Sequence, residues 1–217
     1  MKVILTGSTG FVGREVLEQC LKNPSVTTIV ALSRRDIACP DPKLKVVILD
    51  NFLEYPDSIV REFDGAEACI WCLGKARVPD NDAARKICLE YTMAAAKKMS
   101  DVGATASSGQ RQKFRFVYLS GGAAERDQTK PLWFMQDYRR IRGEVENQLL
   151  AHAEASGDAF EVCIMRPGLV LAKERNLVDM VKGLGPSVRV DKLAGAMIAK
   201  ALDGGGSQIV ENGEIES

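Results

Sequence analysis

Thr6-Gly7-Ser8-Thr9-Gly10-Phe11-Val12-Gly13 is the stretch from which the fold of this chain is read. Immediately before it, Val3-Ile4-Leu5 is an apolar run short enough to be a buried strand. After it, Val12, Val16 and Cys20 recur on one face of a helical pattern. The order is strand, glycine turn, helix. Each glycine is expected to do a separate job: Gly7 permits the tight turn, Gly10 lets the main chain approach a pyrophosphate, and Gly13 lets the helix pack closely on the sheet. The unbonded N–H groups of that first helical turn, with roughly half a unit of positive dipole charge, suit a phosphate without any basic side chain.

Working outward, strands and helices alternate. Thr28–Leu32 reads as a second strand after Asn23-Pro24 stops the first helix, and Leu44–Leu49 as a third. A short helix over Pro56–Phe63 and the Asp64-Gly65 turn lead into a fourth strand ending at Cys72-Leu73-Gly74. The glycine at its carboxyl end, in line with the first glycine turn, lets the chain pass close to a bound cofactor. Pro79 opens a long helix to about Met99, with Ala84, Ile87, Cys88, Tyr91 and Ala95 on its apolar side. A polar loop over Asp101–Lys113 precedes a fifth strand, Phe114–Leu119, whose exit is Ser120-Gly121-Gly122. Gln136 to about Ala155 is a helix with Tyr138, Ile141, Val145 and Leu149 at helical spacing, and Ala159–Met165 is a sixth strand ending in Arg166-Pro167-Gly168. The remainder holds helices near Asn176–Lys182 and over Asp191–Leu202, a Gly183–Pro186 break and a last strand around Ile209. Such alternation gives an α/β fold, a Rossmann-type doubly wound parallel sheet. Its 217 residues suit one domain: a core over residues 1–168 and a short C-terminal substrate region over 169–217.

The end of the second strand bears on the cofactor. A site for NAD places an acid there for the ribose hydroxyls, whereas a 2′-phosphate needs cations. Ser33-Arg34-Arg35 offers forked guanidinium donors, which favours NADP. Asp36 lies just beyond and could serve a ribose instead, and two solvated arginines are the bland alternative.

Composition excludes several classes. Lys plus Arg and Asp plus Glu number 29 each, so no broad basic field for nucleic acid is expected. Arg139-Arg140-Ile141-Arg142 is a local basic cluster, read as a solvated helix face. No apolar run approaches the roughly 20 residues of a membrane span, and Met1-Lys2 runs straight into the first strand with no signal sequence. A cytoplasmic location with reduced cysteines is therefore expected. Cys69 and Cys72, three apart on a strand, point to opposite faces and cannot share a metal. One histidine, His152, leaves little room for a Ser-His-Asp hydrolase or a histidine-rich metal site.

Thr6-Gly7-x-x-Gly10-x-x-Gly13 resembles the signature of the short-chain dehydrogenases, in their extended and atypical branches. With Leu73-Gly74, Leu119-Ser120, Tyr138 followed by Gly143-Glu144-Val145-Glu146, and Arg166-Pro167-Gly168, the chain most resembles the Tat-interacting-protein-like group of atypical short-chain dehydrogenases. That resemblance implies several site residues. Asp50, Asn51 and Phe52 would contact the adenine, and Leu73, Gly74, Pro167 and Gly168 would line the cofactor along with Gly7 to Gly13. The family's Tyr-x-x-x-Lys pair, four apart on one helix face, maps onto Tyr138 and Arg142, so Arg142 stands where a lysine is usual. The family's tyrosine exchanges the proton while its lysine lowers the tyrosine's pKa and holds the nicotinamide ribose. Arg142 can supply charge but not a proton relay. The family's serine falls on Gly121 or Gly122, with Ser120 one place early. The two long helices, 80–99 and 134–155, resemble those that pair in short-chain dehydrogenase homodimers.

Three functions fit these residues: an NADP-dependent oxidoreductase acting on a small carbonyl or alcohol with Tyr138, Arg142 and Ser120 as its catalytic set; an NADPH-binding sensor; or a redox-neutral isomerase, epimerase or cyclase. Tyr138 could equally belong to the 138/141/145/149 core stripe. Pro131-Leu132-Trp133-Phe134, just ahead of the tyrosine helix, suits either an apolar substrate wall or core packing.

Overall fold

A computed structural model describes residues 1–74, 80–104, 113–174, 185–206 and 208–216. The helix expected near 176–182 and most of the loop expected over 101–113 lie outside the described residues. Seven strands form one sheet: β1 (Lys2–Thr6), β2 (Thr28–Ser33), β3 (Leu44–Ile48), β4 (Ala66–Trp71), β5 (Phe114–Leu119), β6 (Phe160–Arg166) and β9 (Gln208–Glu211). Their order is β3-β2-β1-β4-β5-β6-β9, and every pairing is parallel. The chain runs outward one way from β1 to β3, then crosses back to place β4 on the other side of β1. Above the carboxyl ends of β1 and β4 the strand order therefore reverses, and the crevice that opens there is where doubly wound sheets bind their ligands.

Two apolar layers enclose the sheet, and β1 shows how period-two alternation feeds both. Ile4 faces one core; Val3 and Leu5 face the other. On the first side α5 (Gln136–Ser156) buries Val145, Leu149 and Ala153. Beside it runs a helix in three pieces: α3 (Asn81–Arg85), a π turn (Lys86–Glu90) and α4 (Tyr91–Ala104). On the second side α1 (Phe11–Lys22) buries Val16, Leu17 and Cys20 against α6 (Val190–Asp203), which buries Leu193, Ala194, Met197 and Ala201. Each such fully buried Val, Leu or Met contributes about 1.5–3 kcal/mol.

The long helix keeps part of its expected face, with Cys88 and Ala95 buried and Tyr91 packed against the core. The extra residue at the π turn widens that face to Leu89, Thr92, Met93, Ala96 and Met99, while Ala84 and Ile87 are only partly covered. Asp80 caps the start, accepting from the Asp82 and Ala83 N–H groups. The Pro56–Phe63 helix is a single turn, α2 (Asp57–Val60), followed by a 3₁₀ turn. Cys69 and Cys72 pack into opposite layers, as their spacing requires. Beyond β6, a small parallel pair of β7 (Leu169–Leu171) and β8 (Ser187–Arg189), with the short helix α7 (Asn212–Glu216), stands beside the crevice.

Among the described residues no helix is long and apolar enough to cross a membrane.

Candidate active site at the strand carboxyl ends

The glycine turn is built by contact as much as by conformation. Gly7 has φ +68°, and a Cβ there would lie 2.5 Å from the Cys72 carbonyl oxygen at the end of β4. Gly13 is closed in from the other side, since a Cβ on it would lie 2.2 Å from the Gly7 oxygen. Gly13 thus lets α1 close tightly onto the turn that leaves β1. Gly10 occupies the N-cap position with no side-chain cap, and the first turn of α1 carries no acid. That turn consequently keeps its unpaired N–H groups and its positive dipole end. Ser8 adds a further donor: its hydroxyl is buried and has no hydrogen-bond partner among the described residues.

A groove of about 290 Å³ leads from this turn, lined by Gly7, Ser8 and Thr9 and by Arg34, Arg35, Phe52 and Leu73 among others. Neither arginine side chain has a hydrogen-bond or ion-pair partner among the described residues, and both are exposed. Asp36 is turned elsewhere, its carboxylate accepting the Ile37 N–H at 2.8 Å. Phe52 is fully buried, edge-on to Trp71 at 6.0 Å. Asp50 and Asn51 do not line the groove. Asp50 is exposed, and the Asn51 carboxamide is committed to Glu54 and to the Leu53 N–H. An orphaned buried hydroxyl, an uncapped helix start and two unpaired guanidinium groups fit a dinucleotide phosphate, and fit poorly with an empty surface cleft.

At the far end of the crevice stands Tyr138, in the first turn of α5. It is half-buried and belongs to neither core, whereas Val145 and Leu149, further along the same stripe, do. Its hydroxyl faces Gly121, where a Cβ would lie 3.3 Å away. Of the two positions to which the family serine could map, Gly121 is therefore the one beside the tyrosine, and it carries no side chain. Ser120 is directed into the interior, its hydroxyl donating to Glu146 at 2.5 Å. The structure does not bring Ser120 to Tyr138. Glu146 is fully buried and also accepts from Arg166, which reaches Glu211 in turn at 3.0 Å. Ser120 is thus part of an ion-pair network, buried at Glu146 and open to solvent at Glu211, that ties α5 to the ends of β5 and β6.

Arg142, one turn after Tyr138, corrects the solvated-face reading of the basic cluster, for it is only 7% exposed. Its Nη1 donates to the Tyr118 hydroxyl at 3.1 Å and to the Leu119 carbonyl at 2.7 Å. Its Cζ lies 5.5 Å from the Tyr138 ring centre and 5.9 Å from that of Tyr118. Nε is buried without a partner, and no carboxylate pairs with the group among the described residues. Burial opposes the charge, but the neighbouring phenols of Tyr118 and Tyr138 hold the guanidinium above its ordinary pKa. Tyr118, fully buried on β5, is itself pushed up to about 12 by burial, with Arg142 pulling the other way. Gly74 explains how so large a cation fits. A Cβ at position 74 would stand 2.9 Å from Arg142 Nη2, so this glycine makes room for the guanidinium.

Arg139 and Arg140 are likewise engaged, donating to the carbonyls of Ala123 at 2.9 Å and Lys130 at 3.2 Å, and so pin the 121–135 segment along α5. That segment carries Trp133, 97% exposed, and Phe134, stacked under the Arg139 guanidinium. Neither is packed into the core. Pro167 accepts the Gly122 N–H through its carbonyl at 2.7 Å. The Gly168 N–H donates to the Asn212 side chain at 2.8 Å, so Asn212 holds α7 against the β6 exit. Nothing in the local sequence marked Asn212, because its partner lies 44 residues earlier. Tyr118 was equally hidden, since inside an apolar strand a tyrosine reads as core.

Known proteins share this architecture. Serine dehydrogenase from Escherichia coli superposes with a TM-score of 0.73 at 14% identity, over 97% of this chain and 96% of that one. A uronate dehydrogenase from Agrobacterium tumefaciens gives 0.72 at 14%, over 97% and 76%. DesIV, a dTDP-glucose 4,6-dehydratase from Streptomyces venezuelae solved with NAD bound, gives 0.71 at 15%, over 97% and 75%. At these identities the likeness is one of fold. In sequence, the chain is 32% identical over 122 residues to leucinostatins biosynthesis cluster protein T of Purpureocillium lilacinum. That match spans 55% of this chain but only 42% of the relative's length. The glycine turn, the groove beside it and the α1 start all fall within the residues matched by one family model, 7–202, and the chain belongs to the NAD(P)H-binding family.

Proposed function

We propose that this protein is an NADP-dependent oxidoreductase of the atypical short-chain dehydrogenase type, acting on a small, apolar carbonyl or alcohol. The observation that carries the reading is the pairing of Tyr138 with the buried cation Arg142 on the same sheet edge as the glycine turn. The dinucleotide would be held by the Gly7–Gly13 turn, the Ser8 hydroxyl and the start of α1, with Arg34 and Arg35 meeting a 2′-phosphate. When bound, the nicotinamide supplies or accepts the hydride. The chain's own residues do the rest. Tyr138 gives a proton to the forming alkoxide, or takes one from an alcohol, through its hydroxyl beside Gly121. Arg142 stabilises the phenolate that this leaves, without itself exchanging a proton. Ser120, committed to Glu146, takes no part at the reacting atoms. The exposed Trp133 and Phe134 supply apolar surface one turn ahead of Tyr138, which suits a substrate without charge.

A sensor that binds NADPH without turnover is the second reading, and the bare Gly121 beside Tyr138 favours it. Titration of the protein with NADPH, NADP⁺, NADH and NAD⁺, followed by NADPH oxidation against a panel of apolar aldehydes and ketones, separates the two. Oxidation that is lost in Tyr138→Phe while NADPH affinity holds supports the enzyme. Tight binding without turnover on any carbonyl supports the sensor, and turnover that survives Tyr138→Phe refutes the role given to the tyrosine.

A further inference from the structure

Glu146 follows Arg142 by four residues and Tyr138 by eight, so the three side chains lie along one face of α5. Its carboxylate is wholly covered, at 0% exposure. Oε1 accepts the Ser120 hydroxyl at 2.5 Å and Arg166 Nε at 3.0 Å, while Oε2 accepts Arg166 Nη2. Arg166 in turn reaches Glu211 at 3.0 Å, at the solvent-facing end of the row.

Burying such an acid is costly, and an apolar residue of its size often serves stability as well or better. Val145 and Leu149 fill neighbouring positions of α5 in that way. A carboxylate does what they cannot, fixing a hydroxyl and a guanidinium at set points. Those points are the exits of β5 and β6. Residues 120–122 follow β6 through the Ser120 N–H, bonded to the Met165 carbonyl at 2.9 Å, and the Gly122 N–H, bonded to that of Pro167 at 2.7 Å. Toward α5, Arg142 holds the Leu119 carbonyl one residue earlier. Gly121 and Gly122 have no side chain to offer, so the Ser120 hydroxyl is the group by which the exit itself is tied to the helix. Gly121 comes next in the chain, and a Cβ on it would stand 3.3 Å from the Tyr138 hydroxyl. On the other side, Arg166 leads into Pro167-Gly168, where the Gly168 N–H is held by Asn212 at 2.8 Å.

We infer that Glu146 is a positioning residue: through Ser120 it sets the gap between Gly121 and the Tyr138 hydroxyl, and through Arg166 it keeps the Pro167-Gly168 exit in register with that gap. It touches no reacting atom. The inference rests on the tyrosine-based oxidoreductase reading above and gives α5 a second task, since the helix that carries Tyr138 also fixes the wall that a substrate beneath it would meet.

NADPH oxidation by Ser120→Ala, Glu146→Leu and the double variant, run beside NADPH titration and thermal unfolding of the full chain, tests it. Ser120→Ala leaves the Glu146–Arg166 pair intact, and in Glu146→Leu the leucine fills the space while Arg166 keeps Glu211. Each single variant should lose roughly 10- to 100-fold in kcat, as a misplaced reacting group does, with NADPH affinity unchanged. The double variant should be no slower than the slower single one, because both substitutions cut the same link. Glu146→Gln, whose amide offers one acceptor oxygen to two donors, should fall between wild type and Glu146→Leu, and it is read in place of the leucine variant if that one does not fold. A loss in Ser120→Ala that the Glu146 variants do not share would put the serine hydroxyl at the substrate and overturn the inference. Wild-type kcat in both single variants, losses that multiply in the double variant, or NADPH affinity that falls in step with kcat overturn it equally. Absence of wild-type turnover, or turnover that survives Tyr138→Phe, overturns the oxidoreductase reading itself and the role of Glu146 with it.

Discussion

Replacing Arg142 with methionine tests the centre of the mechanism. Methionine fills most of the space of the apolar stem but removes the charge. In the native protein a full positive charge lies 5.5 Å from the centre of the Tyr138 ring, over which a phenolate's charge is partly spread. At an effective dielectric of about 20, unit charges at that separation interact by roughly 3 kcal/mol. Loss of that stabilisation from a transition state in which the phenolate is forming slows the chemical step on the order of 100-fold. Stability should change little. A buried guanidinium without a carboxylate is costly, and its removal offsets the acceptors it abandons on Tyr118 and Leu119. The assay is steady-state NADPH oxidation with whichever carbonyl turns over fastest, run with thermal unfolding and NADPH titration on the same preparations. Arg142→Lys is the control: it keeps the charge and should recover most of the rate. A methionine variant within a few-fold of the wild-type kcat refutes the reasoning. So does a lysine variant as slow as the methionine one, which would make shape rather than charge the requirement.

Gly121→Ser places a Cβ 3.3 Å from the Tyr138 hydroxyl, so the ring shifts by a few tenths of an ångström and a serine hydroxyl comes within hydrogen-bond reach of it. One added donor at a developing oxyanion should raise kcat roughly tenfold or more, and a fall in kcat with a raised KM would mean that the substrate needs that space. His152 governs a pH effect on stability. Its pKa is lowered first by burial against α4 and then by Lys97, and its Nε2 has no partner among the described residues. Since the folded value lies below that of the unfolded chain, about 6.5, unfolding takes up protons below that pH and stability declines as pH falls. The urea midpoint of the wild type should drop between about pH 7.5 and about pH 5.5 more steeply than that of His152→Gln, and parallel slopes would refute the assignment.

Much of the fold was legible because buried parallel strands announce themselves as short apolar runs between glycine and proline punctuation. Phe114–Leu119 falls where its five apolar and aromatic positions put it, and the other central strands lie close to their expected ends. The face of the 81–104 helix was legible only in part: Cys88, Tyr91 and Ala95 face the core as expected, but the inserted residue at the π turn changes the phase for Ala84 and Ile87, and no side chain marks it. The β7–β8 pair was missed because three-residue strands have no periodicity to read. At the site, the phosphate-binding turn could be read because glycine reports conformation and close approach directly. The Tyr138 end of the crevice could not be read so far. Whether Arg142 is solvated or buried depends on Tyr118 and Gly74, which lie far away in sequence, and the choice between Gly121 and Gly122 depends on where Tyr138 leans.

Those distant residues bear on why an arginine stands at this position. An ammonium wants acceptors clustered about one point, whereas a guanidinium spreads its donors over a planar fork. The surroundings of Arg142 match the fork. The Tyr118 hydroxyl and Leu119 carbonyl lie at Nη1, while Gly74 leaves Nη2 a side that any Cβ would crowd at 2.9 Å. A lysine in the same place would reach fewer of these acceptors and leave the Tyr118 hydroxyl, fully buried, without a donor. The pocket is therefore shaped for a permanent charge. A cation that cannot release a proton holds the same charge beside Tyr138 across the whole working pH range, so on the proposed mechanism the proton delivered to substrate would come from the tyrosine and be replaced from solvent.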